Sequence, residues 1–171
     1  NMIEIKINKI LKYLNAGNYK RVIDDTTKLS KKNPHNSYLK NLLGFAYLEN
    51  NDLNNAEKNF LIWIHLIPNN IAAINNLGNT YKNLHHYSEA ELYYKRALTL
   101  NPNFVNTLNN YGNLKFNINL PNEAIALYKK SLSVNSNNYI ASYNLALIYQ
   151  STGNFNKSIK YANKVLDIEP N

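Results

Sequence analysis

Four dipeptides, Leu43-Gly44, Leu77-Gly78, Tyr111-Gly112 and Leu145-Ala146, stand 34 residues apart. The same step carries an aromatic through Tyr47, Tyr81 and Tyr149, with Lys115 in its place once. It takes Ala56, Ala90 and Ala124 on to Ser158, and Phe60, Tyr94 and Tyr128 on to Ala162. Pro34, Pro68, Pro102 and Pro170 keep it too, with Ser136 in the gap. A fixed period of this length means stacked supersecondary units, none of which can bury its apolar face alone. The units run 3–36, 37–70, 71–104, 105–138 and 139–171. The first is the most divergent, with Lys9-Ile10 at the dipeptide position, as suits an end unit with one neighbour.

Each unit reads as two helices. In the third, Ile74, Leu77, Gly78 and Tyr81 fall on one helical face. A polar link, Asn83 to Tyr87, follows. Ser88 with Glu91 has capping-box spacing and predicts the start of the second helix. Ala90, Tyr94, Ala97 and Leu98 form its apolar face, and Pro102 lies past its end. Pro121 opens the second helix of the fourth unit, where a missing N–H costs little. Gly44, Gly78 and Gly112 are expected to face Ala56, Ala90 and Ala124, small against small, so that the paired backbones approach closely. Trp63 stands where the next unit has Ala97 and is read as core.

This combination of period and residue classes resembles the tetratricopeptide repeat family over essentially the whole chain. The resemblance implies an all-α fold: a right-handed superhelical solenoid of about five helix-turn-helix repeats in a single domain, 1–171. It also implies a concave surface lined by the second, fifth, sixth, ninth, twelfth and thirteenth places of each repeat. The sixth place reads Asn8, Leu42, Asn76, Asn110, Asn144; the fifth reads Ile7, Asn41, Asn75, Asn109, Tyr143; the ninth reads Leu11, Phe45, Asn79, Asn113, Leu147. Nine of these fifteen places are asparagine, about three times its share of the chain. A carboxamide offers two donors and an acceptor with two lone pairs. A row of them can hold the main chain of an extended peptide while ignoring its side chains. The sixth-place row resembles the asparagine ladder of the repeat domains attached to O-linked N-acetylglucosamine transferases, with Leu42 interrupting it. The candidate peptide-binding residues are Asn41, Asn75, Asn76, Asn79, Asn109, Asn110, Asn113 and Asn144. A carboxylate clamp of the kind that binds acidic chaperone tails is not expected. Asn79 and Asn110 match its amides, but its cationic places hold Asn75, Ile140 and Asn144.

The charge of +8 raises the question of an anionic partner, nucleic acid or acidic protein. Asparagine makes up about a fifth of the chain, and with lysine, isoleucine and tyrosine it belongs to the residues of AT-rich codons, so composition bias supplies much of the lysine. The cations gather on second helices, the outer wall: Lys20, Arg21, Lys28, Lys31 and Lys32, then Lys95-Arg96, Lys129-Lys130, Lys160 and Lys164. They read mostly as a solvated face, and no nucleic-acid module accompanies them.

Catalytic chemistry is not legible. There is no cysteine and no phosphate-cradling glycine loop, and the histidines His35, His65, His85 and His86 lack metal-type partnering. Asp24-Asp25 diverge around a helix rather than forming a catalytic pair. Neither cofactor nor metal is expected, and the chain is not expected to be an enzyme. No apolar run suits a membrane helix and no signal peptide is legible, so a cytoplasmic location is expected. Asn156-Lys157-Ser158 matches a glycosylation sequon without other marks of secretion. Asn1 before Met2 reads as a tag remnant, and the chain is expected to be a piece of a longer protein. The expected role is a protein-interaction scaffold that holds an extended peptide. The alternatives are a recruiting arm of a larger transferase, or a module for an anionic partner on the basic outer face. The exposed ends of the array allow a homodimer.

Overall fold

A computed structural model describes residues 2–168. Asn1, the expected tag remnant, and Pro170, the last proline of the period, lie outside them. The described residues form ten α-helices: α1 (Met2–Asn15), α2 (Tyr19–Lys32), α3 (Ser37–Glu49), α4 (Leu53–Leu66), α5 (Ile71–Asn83), α6 (Tyr87–Leu100), α7 (Val105–Asn117), α8 (Pro121–Val134), α9 (Tyr139–Ser151) and α10 (Phe155–Ile168). From α3 on, first helices start at 34-residue steps. Second helices keep that step throughout.

The turns inside the pairs repeat as strictly. Gly17, Asn51, His85, Asn119 and Gly153 are all left-handed, with φ of 68°, 58°, 62°, 61° and 75°. They stand 34 residues apart. The residue after each donates its N–H back to the carbonyl of Tyr13, Tyr47, Tyr81, Lys115 or Tyr149, at 2.8–2.9 Å. This is the six-to-one bond of a Schellman stop. Glycine or asparagine suits such a residue; His85 does not, and it is exposed.

The first helices α3, α5 and α9 are capped by Asn36, Asn70 and Asn138, whose side chains accept from Leu39, Ala73 and Ala141 N–H. Much of the asparagine therefore has a structural reason, since an orphan N–H of each helix is satisfied there. Phe104 occupies the same place before α7 and gives no side-chain cap. Pro121 is the first residue of α8, as expected. Ser88 does not cap α6. The helix begins one residue earlier, at Tyr87, because the left-handed turn at His85 sets its start, and Ser88 falls inside the first turn.

The chain forms two compact units with their boundary between Tyr93 and Tyr94, inside α6. In the first unit α1 to α5 pack in chain order, with α3 also touching α5. Its cores join Ile10, Val22, Leu29, Leu39, Leu42 and Ala46, then Leu48, Ala56, Phe60, Trp63, Ala73 and Leu77. Trp63 is buried and lies tilted against Phe60. In the second unit α9 packs on both α7 and α8, burying Ala124, Tyr128, Ala141, Leu145, Ile148 and Tyr149 together.

Two placements refine the reading of the small and aromatic columns. A Cβ on Gly44 would lie 2.5 Å from the Phe60 ring, and one on Gly112 would lie 2.8 Å from the Tyr128 ring. The nearest neighbours of these glycines are thus the aromatics of the second helix, not the alanines. The reason is volume: a ring needs the missing side chain, whereas Ala56 and Ala124 already fit.

The other placement concerns Lys115. Arg21 lies over the Tyr13 ring at 5.7 Å and Lys157 over the Tyr149 ring at 5.2 Å, each eight residues on. At Lys115 and Glu123, in the same two columns, the aromatic is replaced by a buried ammonium and the cation by a carboxylate, paired at 3.0 Å. Lys115 also lies 5.1 Å from the Tyr111 ring centroid. The exchange keeps a favourable pair at this position while reversing which helix carries the cation.

Candidate peptide-binding face

Along each first helix the second, sixth, ninth and thirteenth places are spaced four, three and four apart, so they share one face. Asn76, Asn110 and Asn144 in the sixth place are half-buried, as are Asn79 and Asn113 in the ninth. Asn83, Asn117 and Ser151 in the thirteenth are exposed. The fifth place turns inward in the middle repeats: Asn75 is 4% exposed and Asn109 5%. Asn41 is half-buried beside the buried Leu42, and Asn8 in the divergent repeat is exposed.

In the second unit these amides are linked. Asn113 Oδ1 accepts from the Tyr128 hydroxyl at 2.5 Å and from Asn144 Nδ2 at 3.2 Å. Both lone pairs are then used, which leaves the two Asn113 N–H groups and the Asn144 oxygen for a ligand. Burial pushes the Tyr128 phenol above its usual pKa, so it stays a donor. Below this pair, Asn138 Nδ2 donates to Asn109 Oδ1 at 3.3 Å and to Ser131 Oγ at 2.7 Å, while its own oxygen caps α9. Asn109 therefore ties α7 to α9 from inside. Asn110, next to it, is half-buried on α7.

In the first unit Asn75 Nδ2 donates to Asn76 Oδ1 at 3.2 Å. Asn79 Oδ1 is buried without a hydrogen-bond partner, a costly state for a polar atom. Lys82, in the twelfth place of the same helix, is half-buried, and burial lowers its pKa. The Tyr81 hydroxyl donates to Glu57 at 2.7 Å, and its ring stacks on Tyr93. Sequence reasoning did not single out Lys82, although its column pointed at it. It also missed Asn138. The step from Asn36 and Asn70 marks that residue as a cap, but its second role bridging Ser131 and Asn109 follows only from packing.

The outer cations are mostly exposed, as read. Lys28 and Lys32 of α2 converge with Lys6 and Lys9 of α1 around a cleft floored by Ile10 and Leu29, with one carboxylate, Asp25. Arg21 pairs with Asp25 at 3.1 Å. His85 and His86 are exposed, and His85 Nδ1 lies 2.8 Å from the Tyr87 hydroxyl. Among the described residues no group of three or more histidines and carboxylates is placed to hold a metal ion. No helix there is long and apolar enough to cross a membrane.

Two family profiles described as tetratricopeptide repeat match residues 71–104, and 105–138 with 140–171. No curated protein sequence matches the chain. Among solved structures, TTC0263, a thermophilic repeat protein of Thermus thermophilus, superposes with a TM-score of 0.87 at 18% identity, over 98% of this chain and 91% of that one. MamA superposes at 0.75 and 23% identity, over 92% of both chains. YrrB, described as a repeat protein with an unusual peptide-binding site, superposes at 0.66 and 20% identity, over 97% of this chain and 86% of that one. At these identities the likeness shows the fold, an all-α solenoid of about five helix-turn-helix repeats. The structural neighbours do not single out the glycosyltransferase-attached domains.

Proposed function

Because this chain belongs to the tetratricopeptide repeat family, whose domains generally serve as protein-interaction scaffolds, we propose that it grips an extended peptide by its main chain. The gripping groups are the half-buried amides of the first helices: Asn41, Asn76 and Asn79 in the first unit, and Asn110, Asn113 and Asn144 in the second. Asn75 and Asn109 position them from inside. The observation that carries this reading is the Tyr128–Asn113–Asn144 chain of hydrogen bonds. It holds two amides of neighbouring repeats in fixed orientation before a ligand arrives, and a peptide then meets donors and an acceptor already ordered. The peptide-binding site described for YrrB supports the same use of this fold. As an arm of a larger transferase, the same grip would serve to recruit substrate.

The test is a pull-down with the wild type and with Asn76→Ala/Asn110→Ala/Asn144→Ala. The triple variant is expected to lose the wild-type partners while keeping its helical circular dichroism. Recovery of the same partners by both would sink the amide grip. Binding to neutral amides is expected to respond weakly to salt. A second reading rests on the lysine-lined cleft of α1 and α2, which suits an acidic segment with an apolar side chain. Binding there would fall steeply with salt and survive the triple substitution.

A further inference from the structure

Two columns of the repeat turn polar together at one place. Lys40 stands in the column of the buried Ile74 and Leu108, which Lys6 and Ser142 complete. Ser30 stands in the column of Ile64, Leu98, Leu132 and Leu166. The two meet between α2 and α3, where Lys40 Nζ donates to Ser30 Oγ at 2.9 Å. Ser30 is buried and Lys40 half-buried. An ammonium has three donors, and among the described residues this hydroxyl is the hydrogen-bond partner the Lys40 ammonium has. A half-desolvated cation on a neutral partner keeps its charge unbalanced and N–H groups to spare.

The pair lines a cleft of about 340 Å³ between α2 and α4. Leu43 and Ile62 give the cleft an apolar wall, and Lys31 of α2 and Lys58 of α4 add two exposed ammonium groups. No acidic residue lines it. The nearby carboxylates are engaged elsewhere: Asp25 pairs with Arg21, Asp52 caps α4 and Glu57 accepts from Tyr81. The groove between α8 and α10 occupies the same columns and keeps lysines. There, however, Leu132 replaces Ser30, Ser133 replaces Lys31, and Asp167 adds a carboxylate. We infer that the α2–α4 cleft binds a phosphate monoester, with its oxygens on Lys40, Lys31 and Lys58 and its organic group against Leu43 and Ile62. Ser30, having accepted from Lys40, keeps its O–H to donate to the same phosphate. A phosphate near its second charge balances three ammonium groups better than a carboxylate does. Clefts for small ligands begin at roughly 300 Å³, so there is room for more than the phosphate. A small organic phosphate and a phosphorylated tyrosine of a partner protein offer the same chemistry. The site shares no residue with the amide grip.

Calorimetric titration of the whole chain with phenyl phosphate, inorganic phosphate and phenol tests this. Phenyl phosphate is expected to bind more tightly than inorganic phosphate, and phenol not at all. A peptide with phosphotyrosine between neutral residues separates the two sources: tighter binding than phenyl phosphate supports a protein partner, and equal binding supports a small molecule. Ser30→Leu/Lys40→Leu returns both columns to their apolar form. It is expected to keep its helical circular dichroism and to bind phenyl phosphate about tenfold more weakly or worse, through loss of a charge-assisted hydrogen bond. Lys40→Gln, which keeps a donor for Ser30 but not the charge, is expected to show the same loss. Lys28→Ala/Lys32→Ala, in the α1–α2 cleft, is expected to bind like the wild type. So is Asn76→Ala/Asn110→Ala/Asn144→Ala, which makes failure here distinguishable from failure of the amide grip. A wild type that binds no phenyl phosphate would overturn the inference, as would undiminished binding by folded Lys40→Gln. Equal binding of inorganic phosphate would overturn the part given to Leu43 and Ile62.

Discussion

Gly112→Ala sets two effects of opposite sign against each other. Alanine in place of a mid-helix glycine favours the helix by about 1 kcal/mol. The new methyl would lie 2.8 Å from two atoms of the Tyr128 ring, inside contact distance. That ring is 1% exposed and held at its far end by the bond to Asn113, so it cannot swing away cheaply. Overpacking a core costs about 1–3 kcal/mol. If the ring moves, its hydrogen bond contributes a further loss of ~1 kcal/mol. The net expectation is destabilisation by about 1–3 kcal/mol. Urea unfolding followed by circular dichroism measures it, with hydrogen exchange of α7 and α8 reporting the second unit directly. Placing Gly112→Ala in a Tyr128→Leu background supplies the control. With the ring removed the clash disappears, and the helix preference is expected to make the alanine neutral or favourable. The reasoning is refuted if Gly112→Ala alone is as stable as the wild type, or if the two substitutions prove additive.

Two further outcomes follow from the turns and the buried phenol. His85→Gly is expected to stabilise by about 1 kcal/mol, because a left-handed residue other than glycine is strained by roughly 1–2 kcal/mol and the exposed His85–Tyr87 contact returns little; a lower urea midpoint would contradict it. Burial raises the Tyr128 pKa above the usual 10, so the folded state holds this proton more tightly than the unfolded one. Its contribution is whole below about pH 10 and is lost as pH rises beyond that. Stability measured against pH is therefore expected to fall less steeply in Tyr128→Phe on the alkaline limb, and an unchanged slope would tell against the assignment.

The sequence went far in one direction. The 34-residue step gave the number of helices, their pairing and their ends, because helix periodicity and chain-stopping residues act locally. Even the left-handed turns were written in it, at Gly17 and Gly153, though Asn51, His85 and Asn119 hid the column until the backbone angles exposed it. The role of the glycines was half legible. Small residues at Gly44 and Gly112 announced a close approach, but which side chain filled the space depended on the angle between two helices. Neighbouring letters do not encode that angle.

The asparagines divide the same way. Their regular columns could be read directly, but not which column is buried: the fifth place turns inward at Asn75 and Asn109, while the sixth and ninth stay half-buried. Whether a given amide caps a helix, as Asn70 does, or ties two helices together, as Asn109 and Asn144 do, or lies half-buried and bonded only to its chain neighbour, as Asn76 does, could not be read. One residue type has one local preference, whereas its hydrogen-bond partners come from segments up to 31 residues away. By itself the sequence determined the repeat, its helices and the polar stripe, because these depend on order along the chain. Only the tertiary structure decided which amides are already engaged and which aromatic ring fills the space beside each glycine. Both depend on what other segments bring within a few ångströms.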